Sequence, residues 1–108
     1  MARTAIHPGE HLKDELDELG MSASALAREL DVPANRVTEI INGERSITAE
    51  TALRLGHWFG TSPAFWLNLQ TTYDLRLAEK SLAKALSKLP RRTERRLGQV
   101  SMRSIAPR

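Results

Sequence analysis

The chain of 108 residues contains no cysteine, which removes several chemistries at once. There is no disulfide framework to expect, no thiolate zinc site and no cysteine nucleophile. Long apolar runs are missing too: no stretch approaches the ~20 residues that cross a bilayer. The N-terminus, MARTAIHPGEH, has a single Arg and lacks the apolar segment of a secretory signal. A soluble, cytoplasmic protein with no membrane partner is the expectation. The sequence has no phosphate-cradling glycine loop and no G-x-S-x-G elbow, and its Ser residues lack a credible His–acid pairing. It also has no internal repeat or low-complexity segment. No enzyme is expected, and no cofactor.

Positive charge is scarce in the first three-quarters of the chain. Residues 1–79 hold seven Lys and Arg against twelve Asp and Glu, a net charge of −5, whereas residues 80–108 hold nine against one, a net +8. The overall +3 therefore describes neither part, and the split suggests an acidic body and a basic arm with different partners. The length suits one domain, placed at residues 1–80, followed by a basic tail at residues 81–108 that is partly helical or disordered.

What the chain does have is helical periodicity. Between Ser22 and Gly43 two short apolar patterns, Leu26-Ala27-Leu30 and Val37-Ile40-Ile41, flank a break at Asp31-Val32-Pro33. Pro33 is tolerated in a first helical turn, and Gly43 can adopt the left-handed conformation that ends a helix. Two short helices joined this tightly read as a helix-turn-helix. With Val37, Ile40 and Ile41 turned to a core, Asn35, Thr38, Glu39 and Asn42 face outward, with Ala34 and Arg36 at the flanks. Such a short polar face can hydrogen-bond base edges in a major groove, or it can be an ordinary solvated surface.

The rest of the body is helical as well. A first helix should run from Pro8 to Gly20, with Leu12, Leu16 and Leu19 as its buried stripe. Its acidic residues, Glu10, Asp14, Glu15, Asp17 and Glu18, exceed what the helix dipole favours near the C-terminal end. They form either a solvated face or a docking surface for a basic partner. His7-Pro8-Gly9-Glu10-His11 matches the H-x-x-E-H zinc-peptidase pattern. That chemistry needs both His on an established helix and a further ligand, and Pro8 and Gly9 interrupt, so no metal is expected. Thr48 should cap a fourth helix from about Ala49 to Phe59, and Ser62-Pro63 should open a fifth. The fifth carries more apolar surface than one core face needs. Its Phe65, Trp66, Leu69, Tyr73 and Leu77 are the candidate contacts of a homodimer. Leu82, Ala85, Leu86 and Leu89 keep helical spacing until Pro90. The fold class is all-α, with short connections and no strands.

These residues together carry a family resemblance. From about Ile6 to Lys80, the segments IHPGEHLKDELDELGMSASALARELDVP, RVTEIINGERSITAETALRLGHWFGTSP and AFWLNLQTTYDL resemble the HigA-type (VapI-like) antitoxins of toxin–antitoxin modules. These belong to the Cro/cI (Xre) helix-turn-helix superfamily. The resemblance implies a five-helix, lambda repressor-like domain, here with a basic C-terminal extension. It implies a homodimer that binds double-stranded operator DNA to repress its own operon. It also implies a partner toxin, HigB, a RelE-like mRNA interferase.

Carried over by position, Ser22 and Ser24 would sit over the phosphate backbone, and Ala34, Asn35, Thr38 and Glu39 would read bases. Arg36, Asn42 and Arg45 would lie close to phosphates. Asn35 could pair with adenine and Glu39 could accept from a cytosine amine. Ala34, Asn42 and Glu44 stand where family members often carry basic residues, which should weaken phosphate contact. The basic tail either supplies that affinity or serves solubility alone. Toxins of this kind are basic, so the acidic first helix is their better electrostatic match. Two other functions stay open: a repressor without a toxin, and a neutralising interaction module that has lost operator binding.

Overall fold

A computed structural model describes residues 4–92. Five helices follow one another: α1 (Pro8–Leu19), α2 (Ala23–Leu30), α3 (Ala34–Ile41), α4 (Ala49–Phe59) and α5 (Pro63–Lys88). There is no strand among the described residues.

The helices begin for local reasons. His7, Ser22, Thr48 and Ser62 each accept a hydrogen bond from a first-turn backbone N–H, which would otherwise lack a partner. At α3 the N-cap is Pro33, which has no side-chain oxygen to offer. Pro33 thus stands one position earlier than the first helical turn expected for it. The four shorter helices end alike, with a left-handed residue just past the last turn: Gly20, Asp31, Gly43 and Gly60. Asp31 adopts this conformation (φ 59°) despite its Cβ, and it makes the sharp corner between α2 and α3.

The core is continuous. Leu12 and Leu16 of α1, Leu26, Ala27 and Leu30 of α2, and Val37 and Ile40 of α3 meet Ile47, Ala52 and Leu55, with Trp66 closing the far side. Two expectations need correction. Leu19 is 55% exposed rather than buried, because the chain reverses at Gly20. The Met21 amide then bonds back to the Leu16 carbonyl, and Met21 packs against the core in its place. Trp66 is only 1% exposed and belongs to the chain's own core, so it is not available to a second copy. Its indole Nε1 donates to Thr61 Oγ1 at 2.9 Å, and Phe59 and Phe65 lie against it.

Helix α5 passes residue 80 without a break and continues to Lys88, so the first part of the expected tail is helical. With 26 residues it is about 39 Å long at 1.5 Å per residue. The expected tail beyond residue 92 lies outside the described residues.

Candidate nucleic-acid interface

Helix α3 is supported directly by α1, and the segments before and after it are tied to α4 and α5. At its C-terminal end, the first turn of α1 lies directly on the Ile40–Ile41 backbone. Gly9 makes that approach possible, since a Cβ there would overlap the Ile40 carbonyl oxygen. His7 fills the same corner, next to Gly43 and edge-on to Tyr73 with ring centroids 4.8 Å apart. Beyond α3, the buried side chain of Gln70 on α5 accepts from the Ile47 N–H at 2.8 Å and donates to Asp74 at 3.0 Å. On the other side, Arg54 of α4 donates to the Leu30 carbonyl at 2.7 Å, which ties the end of α2 to α4. The helix pair is therefore tied down at the end of α2 and just beyond the end of α3.

With α3 fixed, its two faces divide as the spacing predicts. Val37 and Ile40 are buried and Ile41 is half-buried, whereas Ala34, Asn35, Thr38 and Asn42 are exposed and Arg36 and Glu39 are intermediate. On the outward side the structure brings three expected residues together. Glu39 Oε1 accepts from Nε of Arg45 at 2.7 Å and faces its Nη2 at 2.7 Å. Oε2 accepts from Nδ2 of Asn35 at 3.1 Å. Each carboxylate oxygen thus has a partner within the chain.

The remaining expected residues are not part of this cluster. Ser22 spends its hydroxyl on the Ala25 N–H at the start of α2, at 3.1 Å, while the residue itself remains exposed. Ser24 is exposed on the first turn of α2. Asn42 caps the C-terminal end of α3, its N–H bonded to the Thr38 carbonyl at 3.0 Å. Sequence reasoning missed the supports, Gln70 and Arg54. Gln70 follows Trp66 by four residues on α5, so it occupies a core register; a polar residue there signals a buried partner.

Among the described residues, the other candidates do not converge as a site. His7 stands before α1, as the interrupted H-x-x-E-H pattern predicts, and its Nδ1 accepts from the Gly9 N–H at 2.9 Å. Burial pushes its pKa below the ordinary imidazole value, against the opposing pull of Asp74 and Glu10. Among the described residues no three His, Cys, Asp or Glu converge as a metal site would. An open cleft of about 360 Å³ is lined by residues of α2 and α4, with Asp31 at its edge. On its lining, Trp58 Nε1 donates to Glu29 at 3.2 Å, and Arg54 donates to the Leu30 carbonyl at 2.7 Å. No helix among the described residues is long and apolar enough to cross a membrane.

Comparison with known proteins agrees with this geometry. Residues 12–66 match the helix-turn-helix family model HTH_3. Virulence-associated protein I of Dichelobacter nodosus is 53% identical over 77 residues, which are 70% of this chain and 71% of that protein. Among solved structures, an addiction module antidote protein of the HigA family from Coxiella burnetii has a TM-score of 0.81 and 53% identity. That match covers 84% of this chain and all of the other. The Pseudomonas aeruginosa antitoxin HigA, solved with the higBA promoter, has a TM-score of 0.77 and 44% identity over 81% of this chain and 97% of its own. This family comprises DNA-binding regulators and antitoxins rather than enzymes, and the five-helix fold with an exposed α3 is its fold. The chain belongs to the HigA-type antitoxins of the helix-turn-helix family.

Proposed function

We propose that this protein is an antitoxin that acts as a dimer, represses its own operon by sequence-specific DNA binding, and neutralises a HigB-like mRNA interferase. The observation that carries the reading is the exposed polar face of α3, whose apolar face is buried, with α1 packed against it and the end of α2 and the loop after α3 tied to α4 and α5. Asn35, Thr38 and Asn42 supply short donors and acceptors for base edges. Ser22, Ser24, Arg36 and Arg45 flank them toward the phosphates.

Dimerisation is assigned to α5, but to a different stripe from the one expected. At about 100° per residue, Leu75, Leu82, Leu86 and Leu89 line the side opposite Trp66 and Gln70, and each is about half exposed or more. Leu69 and Tyr73 face the body, half-buried against the core and His7. Phe65 and Leu77 remain partly exposed at the edge. A leucine stripe on a long helix is well suited to a second copy of itself. Two copies would then present their α3 helices to successive major grooves, about 34 Å apart.

For the toxin, the exposed acidic side of α1 (Glu10, Asp14, Asp17 and Glu18) offers a surface of the right sign for a basic partner. A gel shift with the DNA upstream of its own gene tests repression, and co-expression with a small basic protein encoded beside it tests neutralisation. A retarded band and restored growth are expected. No shift would remove the repressor, and unrelieved toxicity would remove the antitoxin.

A further inference from the structure

Sequence reading makes Glu39 a base reader that accepts from a cytosine amine. The geometry gives it other work, since both of its oxygens are already engaged. We infer that Glu39 is a positioning residue that fixes which edge Asn35 shows to DNA and holds Arg45 neutralised, lowering general affinity for phosphate in favour of base discrimination. The inference rests on the operator-binding reading above.

The chemistry runs from the carboxylate outward. An ionised carboxylate only accepts, so Nδ2 of Asn35 must face it and Oδ1 must turn away. An exposed asparagine without such a neighbour can flip its amide and offer donor and acceptor in either order. Held this way, the second Nδ2 hydrogen and Oδ1 keep one order, the pair that matches N7 and N6 of adenine. Arg45 in turn fixes Glu39 by donating Nε to Oε1, with Nη2 close to the same oxygen, and its Nη1 hydrogens stay free for a phosphate. The paired charges cancel, so this arginine adds little to counterion release.

The test uses the full chain. Base preferences are read by selection from duplexes with a randomised central segment. General affinity is read by salt titration on one fixed duplex of unrelated sequence. Glu39→Ala should flatten the preference at the base pair that Asn35→Ala flattens, on the order of tenfold in relative affinity. The double variant should be no flatter there than Asn35→Ala alone. Glu39→Gln, which keeps the shape and removes the charge, should bind the unrelated duplex more tightly. Its salt dependence should steepen by about 0.9 in log–log slope, the share of one phosphate.

Loss of a cytosine preference at a base pair that Asn35→Ala leaves intact would make Glu39 a direct reader and overturn the inference. An unchanged or shallower slope for Glu39→Gln would overturn it as well. If the wild-type chain enriches no sequence, the operator reading fails and takes this inference with it. If the wild type enriches a site and Glu39→Ala enriches the same site equally sharply, only the inference fails.

Discussion

Replacing Gln70 by Leu should loosen the segment that follows α3, and the cost can be worked from its bonds. The Ile47 N–H is buried, and its hydrogen-bond partner is Gln70 Oε1, at 2.8 Å. Leucine fits the space but cannot accept. A buried backbone donor left unpaired costs about 1–3 kcal/mol. The more apolar side chain returns roughly one methylene of burial, about 0.8 kcal/mol. The net expectation is a loss centred near ~1 kcal/mol and at most about 2, which at the centre is about 4–8 °C in melting temperature for a domain of this size. Urea unfolding at one fixed protein concentration measures it, and the slope should not change. Because Ile47 follows Arg45 in the same loop, DNA affinity should fall beyond what the lost folded fraction explains. A Gln70→Leu variant with the wild-type urea midpoint would refute the reasoning, since it would show that the Ile47 N–H finds another partner at no cost.

Three further outcomes follow from the same structure. Gly9→Ala should destabilise the fold by about 3 kcal/mol, because neither the Ile40 backbone nor α1 can withdraw; a thermal melt within two degrees of wild type would contradict this. His7 is buried and accepts at Nδ1, so its folded pKa lies below the ordinary 6.5. The unfolded chain therefore takes up the proton first as the pH falls. Its stabilising contribution is present above pH 6.5 and declines below it, until the folded imidazole also titrates. Urea midpoints at pH 7.5 and 5.5 should show this, and His7→Asn, which can still cap α1, should reduce the difference; an equal difference in both proteins would exclude His7 as its source. The double change Leu82→Glu and Leu86→Glu should yield the mass of one chain by sedimentation at micromolar concentration and weaken operator binding, whereas a persisting dimer would move the interface elsewhere on the molecule.

Much of the architecture was legible because it is written in near neighbours. Thr48 and Ser62 cap the helices that follow them, and Gly20, Gly43 and Gly60 stop the helices before them. The 3.6-residue period of Val37, Ile40 and Ile41 was enough to turn Asn35, Thr38 and Asn42 outward. All of these act over one or two turns, where spacing and residue type carry the physics.

The tertiary structure alone decided what depends on which helices meet. Periodicity shows that α5 has surplus apolar surface, but not which stripe the body takes; Trp66 goes inward, and Leu75, Leu82, Leu86 and Leu89 stay out. Leu19 keeps the period of α1 yet falls beyond the edge of the core. Gln70 reaches Ile47 across 23 residues, and Arg54 reaches Leu30 across 24. The clamp of Asn35, Glu39 and Arg45 needs the turn after α3 to fold back along that helix. Local pattern sets each helix and its faces because those energies arise within a turn or two, while partners distant in the chain are chosen only when the whole core closes.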